Sequence, residues 1–192
     1  KILIQKALLH LFSFFLSKLS LNSVHIIGIF IGKLYFFFSK KNYKFLRDNI
    51  KNSKIFHHST IEDAIKENIK ELGKGIIESF YLWSNSQEQS LKLIRNVIGE
   101  KNLIHAEKRG KGIIFLTPHL GCFEITSIYY GSKKPITVMY RKARKIWMSD
   151  FMINGRKKGN VKLAPADFKG LKKVLIALKN GDAVGILPDQ VA

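Results

Sequence analysis

The chain has 192 residues, which is enough for one α/β domain with a buried core and an additional segment. Lys and Arg number 33 against 14 Asp and Glu, so the formal net charge is +19, and a charge of this size predicts an anionic partner. Hydrophobic residues make up 46% and charged residues 24%, which excludes both a disordered basic tail and a uniformly apolar transporter.

Residues 1–47 form a basic and apolar segment with eight Lys or Arg and no acidic residue. No apolar run in it reaches the roughly 18 uninterrupted residues of a spanning helix. Residues 2–17 still predict a short spanning or interfacial helix, because Lys6 and Lys18 can snorkel to the interface. We expect a retained membrane anchor, with the basic residues from 40 to 47 on the cytoplasmic side. The alternative is a pair of apolar core helices in a soluble domain.

Residues 48–192 predict a domain in which strands alternate with helices. Ile61, Ile65 and Ile69 follow helical spacing, so residues 60–82 predict a packing helix. Alternation of strands and helices favours an α/β fold with a mostly parallel sheet and flanking helices. The predicted strands are 93–99, 112–117, 135–140, 160–164 and 183–187, and the later helices are 100–109, 122–130, about 144–157 and 167–179.

Three chemically useful side chains follow predicted strands. His119 follows the strand 112–117, Arg141 follows 135–140, and Asp189 follows 183–187. In open parallel sheets, ligands bind beyond the carboxyl ends of the strands. We therefore expect the functional site at this edge, with Arg141 as a candidate anion contact.

The most informative pair is His119 and Glu124, which lie five residues apart. On a continuous helix the two side chains would point about 140° apart, but Pro118 and Gly121 interrupt a helix here. If His119 lies on a turn and Glu124 in the first turn of the next helix, the carboxylate can accept a hydrogen bond from one imidazole nitrogen. The other nitrogen can then act as a general base toward an alcohol.

Cys122 is the alternative catalytic residue. A thiol close to a helix N-terminus and to His119 can be activated for acyl-thioester exchange. A buried and inert thiol is the more ordinary role for a free cysteine. Its being the only cysteine excludes an internal disulfide, and no spaced His or Cys motif predicts a metal site.

The residues around this pair carry a family resemblance. The strand followed by His119-x4-Glu124 is similar to the H-x4-D/E box of the glycerolipid and lysophospholipid acyltransferases. More narrowly, the chain resembles the lipid A biosynthesis lauroyl/myristoyl acyltransferases in the order and spacing of GKGIIFLTPHLGCFE, VMYR, the Gly-Arg pair at 155–156 and GDAVGILPDQ. The resemblance covers nearly the whole chain, including the basic apolar N-terminus.

The resemblance implies a function. These family members are enzymes of the bacterial inner membrane that act at its cytoplasmic face. They transfer an acyl chain from acyl carrier protein to a hydroxyl group of a lipid A precursor, and no cofactor is needed because the thioester is already activated. Carried over to this sequence, His119 is the general base, Glu124 its partner, and Arg156 and Asp189 position the donor or the acceptor.

Two departures from the family pattern are present. Positions 122 and 123 are Cys-Phe where the family usually has Asn-Trp, which predicts an altered acyl pocket or altered helix packing. The residues that the family carries beyond the PDQ box are absent, so we expect a C-terminally incomplete acyltransferase domain spanning 48–192.

Two other functions remain open at this point. One is acyl transfer to another lipid, such as a lysophospholipid or an anionic glycolipid. The other is a non-catalytic adapter whose basic face binds anionic membrane lipid. Nucleic acid is not an expected partner, because the sequence has no helix-turn-helix, zinc-finger or RNA-recognition signature.

Overall fold

The computed structural model describes residues 2–55 and 60–189, and contacts divide the chain into two compact units. The first, here called the sheet unit, joins the first 17 residues to the chain from Leu82 onward. The second, the helical unit, runs from Lys18 to Tyr81. Helix α1 (Ile2–Ser17) thus packs with the sheet unit, whereas the segment that follows it, up to Tyr81, forms the helical unit.

The helical unit contains α2 (Leu21–Phe38), α3 (Lys40–Asn52) and most of α4 (Ile61–Ser84). The last residues of α4, from Leu82, belong to the sheet unit. The helix predicted over 60–82 is therefore confirmed, with its end two residues later. Its apolar face forms a small core in which the buried residues Ile61, Ile65 and Ile69 pack against Phe36, Tyr43, Leu46 and Ile50.

Helices α2 and α4 approach each other closely through glycines. A Cβ atom at Gly73 would lie 2.1 Å from the carbonyl oxygen of Gly28, and one at Gly32 would lie 2.7 Å from that of Ile69. The backbones are therefore in direct contact, and side chains at these positions would separate them. Elsewhere between the same helices, His25 Nε2 lies 2.5 Å from Glu78 Oε1.

Helix α2 is also the one helix among the described residues that is long and apolar enough to cross a membrane. The same criterion of length and composition is met by apolar core helices and by signal sequences. Helix α1 (Ile2–Ser17) is apolar but shorter, with 16 residues.

The sheet unit is built on four parallel strands in the order β1 (Ile113–Leu116), β4 (Ala183–Ile186), β2 (Ile136–Tyr140) and β3 (Val161–Pro165). The register places Leu116 opposite Ile186 and Tyr140 opposite Pro165. The predicted α/β fold with a parallel sheet and flanking helices is thus confirmed. Its elements are α1, α5 (Gln87–Leu91), α6 (Glu100–Lys108), β1 (Ile113–Leu116), α7 (Glu124–Lys133), β2 (Ile136–Tyr140), α8 (Ile146–Arg156), β3 (Val161–Pro165), α9 (Phe168–Lys179) and β4 (Ala183–Ile186).

Both faces of the sheet are covered. Neighbouring residues such as Leu163 and Ala164 point to opposite faces, as the period of a strand requires. The central strands therefore carry apolar residues without alternation, as expected for a parallel sheet. One core contains Tyr130, Ile136, Val161, Leu163 and Ala183, and the other contains Ala164, Val174, Ala177 and Val184.

The strand predicted over residues 93–99 is wrong. The backbone N–H groups of Leu93 and Ile94 donate to the carbonyl oxygens of Ser90 and Leu91, so the chain continues turning after α5. Ile98 is exposed, and this segment pairs with none of the four strands. A short apolar run does not by itself distinguish a strand from an apolar turn.

Candidate active site

A cavity of about 340 Å³ opens at the carboxyl ends of the strands. Four of the five predicted site residues line it: His119, Glu124, Arg141 and Arg156. Most of the remaining wall is apolar. Its apolar residues include Phe115, Ile136, Val138, Met139, Met152, Ile186 and Leu187.

The fifth predicted residue, Asp189, binds His119 directly. Imidazole Nδ1 lies 2.8 Å from Asp189 Oδ1, and the backbone N–H of His119 donates to Asp189 Oδ2 over 2.8 Å. Because an ionised carboxylate only accepts hydrogen bonds, this geometry puts the proton on Nδ1 and leaves Nε2 as the basic nitrogen.

The sheet order explains why these two residues meet. His119 lies three residues beyond Leu116, the last residue of β1, and Asp189 lies three residues beyond Ile186, the last residue of β4. Leu116 and Ile186 are register partners on adjacent strands. The backbone N–H of Thr117 also donates to Ile186 over 3.0 Å. The two loops therefore leave the sheet side by side.

The hydrogen bonds also set the charge of Asp189. The backbone N–H of His119, followed by its imidazole, holds the pKa of the Asp189 carboxyl below its usual range. The carboxylate is therefore ionised at neutral pH, and it can stabilise an imidazolium beside it.

The expected hydrogen bond between His119 and Glu124 is replaced by an ion pair between Glu124 and Arg156. Arg156 Nε donates to both carboxylate oxygens, over 2.9 and 3.1 Å, and Nη2 donates to Oε1. The side chains of Glu124 and Arg156 are only 5% and 15% exposed. Glu124 lies at the first position of α7, and both of its carboxylate oxygens accept hydrogen bonds from the guanidinium of Arg156.

Gly121 shapes the loop between the two residues. Its φ is +56°, a left-handed conformation that glycine adopts without steric cost. The reversal at Gly121 puts His119 on an exposed turn and Glu124 on a buried helix start. The spacing of five residues therefore separates the two side chains instead of bringing them together.

Trp83, which the sequence analysis did not single out, supports the ion pair. The Arg156 guanidinium lies over its ring, with 5.2 Å between guanidinium carbon and ring centroid, a cation–π arrangement. The adjacent Gly155 permits this, because a Cβ there would lie 2.3 Å from Trp83 Cβ. A lone tryptophan at the end of an amphipathic helix carries no sequence signal for such a role.

Lys158 lies on the other side of this network. Its ammonium donates to the carbonyl oxygens of Leu82 and Asn85, at the end of α4. Burial lowers the pKa of Lys158 to about 8, and Glu124 acts in the opposite direction. Lys158 thus holds the segment that carries Trp83 close to Glu124.

Phe123 contacts the imidazole of His119 edge to face, with ring centroids 4.9 Å apart. It also lines the cavity. This edge-to-face contact helps to orient the histidine. Cys122 precedes Phe123 and is not part of a disulfide.

In residues 2–55 and 60–189, no three His, Cys, Asp or Glu side chains converge in a way that could hold a metal ion. The groups present at the site are a histidine with a carboxylate, a largely buried guanidinium held by a second carboxylate, and an apolar wall.

These features define a class: an α/β protein with a histidine–carboxylate pair above an apolar cavity at the carboxyl edge of a parallel sheet. The family model of the bacterial lipid A biosynthesis acyltransferases matches residues 4–192. The chain belongs to that family, and it is an acyltransferase of lipid A synthesis. No curated protein matches it at a significant level.

Proposed function

We propose that this protein transfers a fatty acyl chain from the thioester of acyl carrier protein to a hydroxyl group of a lipid A precursor. The observation that carries the proposal is the hydrogen-bonded pair of His119 and Asp189 at the mouth of an apolar cavity. Family membership supports the reaction class.

In the proposed reaction, Nε2 of His119 removes the proton of the acceptor hydroxyl as its oxygen attacks the thioester carbonyl carbon. A carbon–oxygen bond forms, and the carbonyl oxygen becomes an oxyanion. Collapse of this intermediate breaks the carbon–sulfur bond, and the imidazolium returns its proton to the departing thiolate. Asp189 keeps the imidazole in the reactive tautomer throughout.

Arg156 is proposed to stabilise the oxyanion. A guanidinium has five N–H donors, of which those on Nε and Nη2 contact Glu124. The remaining donors lie on a cavity-lining side chain. Glu124 then acts on the reaction by fixing Arg156, since fixed donors stabilise developing charge without reorganisation. Glu124 is a positioning residue in this mechanism.

The acyl chain is proposed to lie along the apolar wall of the cavity, and Arg141 at its edge is proposed to contact an anionic group of donor or acceptor. The net charge of +19 supports acidic partners, here the acyl carrier protein and the phosphates of a lipid A precursor. We place the enzyme at the cytoplasmic face of the bacterial inner membrane, held by its apolar N-terminal helices. No cofactor is required.

The test is mass spectrometry of lipid A from a bacterial host that lacks its own late acyltransferases and expresses this protein. We expect a mass increase of one acyl chain with the unchanged protein and none with His119→Ala. The matched control is His105→Ala, because His105 is an exposed histidine of α6, before β1. That variant is expected to retain the mass increase.

Other results would redirect the assignment. No mass shift from a stably expressed protein would reject the lipid A acceptor, and acylation of a lysophospholipid or glycolipid would then identify another one. If His119→Ala changed no lipid product while membrane binding persisted, a non-catalytic adapter would be indicated. Loss of activity with Cys122→Ala alone would favour a thiol mechanism.

A further inference from the structure

Large apolar side chains are exposed around the mouth of the cavity. Phe168 is 90% exposed, Leu120 77% and Ile146 75%. Exposed apolar groups in contiguous patches mark interaction sites on soluble surfaces. Together with the basic residues Lys142, Arg144 and Lys145, these three side chains are here called the mouth rim.

The fold puts the three apolar residues at the same edge of the sheet. Leu120 follows β1, Ile146 follows β2, and Phe168 follows β3. Each is also close in sequence to a cavity-lining residue: His119, Arg141 and Ala166, respectively. The three exposed apolar side chains therefore lie on the loops at the edge of the sheet where the cavity opens.

Helix α1 extends this apolar surface. Lys6 Nζ lies 2.7 Å from Asp150 Oδ2, and Asp150 is one helical turn after Ile146. Leu3 and Ile4, within one turn of Lys6, are both exposed. The apolar start of α1 is thus held next to the start of α8.

The charge of the same region is positive. Residues 141–145 contain four exposed basic side chains and no acidic one. Nearby acidic residues do not cancel this charge, since Asp150 is neutralised by its ion pair with Lys6 and Asp167, which caps α9 by accepting from the backbone N–H of Gly170 over 2.9 Å, is a single carboxylate. Apolar side chains beside basic ones are the combination that binds an anionic lipid surface.

We propose that the mouth rim docks on an anionic lipid bilayer, so that the cavity opens directly into the lipid–water interface. This inference rests on the proposed function, since it gives an acyl-chain acceptor a path to His119 without leaving the membrane. It is distinct from anchoring by the N-terminal helices, which would hold the protein at a membrane whichever side of the sheet faced it.

The experiment uses an environment-sensitive fluorophore on a single cysteine. In a Cys122→Ser background, Phe168→Cys carries the label at the mouth rim, and Lys179→Cys carries it at the opposite end of the same helix. Both positions are exposed, and they lie about 16 Å apart along α9. Vesicles contain either phosphatidylglycerol with phosphatidylethanolamine or phosphatidylcholine alone, with a lipid-borne quencher.

On anionic vesicles we expect a blue shift and several-fold stronger quenching at position 168 than at 179, and a weaker response on phosphatidylcholine. Arg144→Glu with Lys145→Glu is expected to reduce the quenching at 168. The same charge change at Lys108 and Lys111, which lie before β1, is the control and is expected to leave it unchanged.

Equal quenching at both positions on vesicles that bind the protein would overturn the proposal. So would a label at 168 that is already shielded from water before vesicles are added, or one that responds only to acyl carrier protein. The last result would assign the surface to a protein partner. The measurement does not depend on turnover. The label at position 168 must therefore be quenched in a His119→Ala protein as strongly as in the protein with His119. This separates the docking proposal from the proposed reaction.

Discussion

The carboxylate of Asp189 bridges two groups of one residue, His119: its imidazole Nδ1 and its backbone N–H, each over 2.8 Å. A single side chain from the loop after β4 thereby sets both the rotation of the histidine and the path of the loop after β1. The remaining ring nitrogen, Nε2, is left for proton transfer.

Asp189→Asn is therefore expected to lower kcat by roughly 10²- to 10⁴-fold. An amide N–H facing Nδ1 would favour the tautomer that carries its proton on Nε2, which cannot act as a base. Single-turnover acyl transfer in membranes is the measurement. Asp63→Asn, at an exposed carboxylate of α4, is the control. Unchanged turnover of the Asp189 variant would remove this residue from the mechanism.

The buried pair of Glu124 and Arg156 predicts a strong coupling in stability. Glu124→Met and Arg156→Met are each expected to cost roughly 3–5 kcal/mol, because each leaves one buried charge without its partner. The double variant is expected to recover much of that loss while turnover stays low. Denaturant unfolding of the four proteins in detergent measures the coupling.

The exposed ion pair of Lys92 and Glu88 is the control for that cycle, with an expected coupling of about 1 kcal/mol or less. Single variants of Glu124 and Arg156 that are as stable as the unchanged protein would contradict the burial argument.

Substitution of Trp83 is expected to lower turnover, although this residue is not proposed to contact the reacting atoms. Trp83→Leu removes the ring beneath the guanidinium of Arg156, so we expect kcat to fall by about fivefold, from a lost cation–π contact on the order of 1 kcal/mol. KM is expected to change less. Trp147→Leu is the matched control, and an equal effect of both substitutions would indicate a general packing defect.

The lowered pKa of Lys158 predicts a pH dependence of stability. The pKa is about 8 in the folded protein against 10.5 as the ordinary value. Between these values the unfolded chain binds more protons, so the free energy of unfolding rises with pH in that window. The expected gain is on the order of 1 to 2 kcal/mol after allowance for partial solvation.

In the Lys158→Met variant, the free energy of unfolding is expected not to rise between pH 8 and 10.5. Thermal unfolding of this variant and of the unchanged protein across that pH range measures the difference between them. Other lysines and tyrosines titrate in both proteins and cancel in this comparison. Parallel curves for the two proteins would show that Lys158 is solvated.

The close contact at Gly73 predicts whether replacing this glycine by alanine raises or lowers the stability of the helical unit. In an open helix Gly→Ala stabilises by about 1 kcal/mol, but here the added Cβ would meet the carbonyl oxygen of Gly28. We therefore expect Gly73→Ala to destabilise the helical unit by about 1 to 3 kcal/mol. Lys66→Ala, on an exposed position of the same helix, is the control. A rise in Tm would show that α2 and α4 are not in contact.

Four of the five predicted strands were identifiable from local pattern, because a buried parallel strand is a short apolar run between turn residues. The prediction for 93–99 failed because its apolar residues are interrupted by Arg95 and Asn96, and because the segment pairs with no strand of the sheet. Three of the five candidate site residues, His119, Arg141 and Asp189, could be nominated because they follow strands, and the carboxyl ends of parallel strands share one edge. Glu124 was nominated by its spacing from His119, and Arg156 by the family resemblance.

The pairing of these site residues, His119 with Asp189 and Glu124 with Arg156, depends on features that no local sequence pattern contains. The insertion of β4 between β1 and β2 brings Asp189 beside His119, and strand order depends on how helices pack on both faces of the sheet. The reversal at Gly121 directs Glu124 into the interior, where Arg156 and Trp83 arrive from distant helices. Residue types, their spacing and the family resemblance were sufficient to nominate the residues of the candidate site, whereas long-range packing assigned each carboxylate its partner.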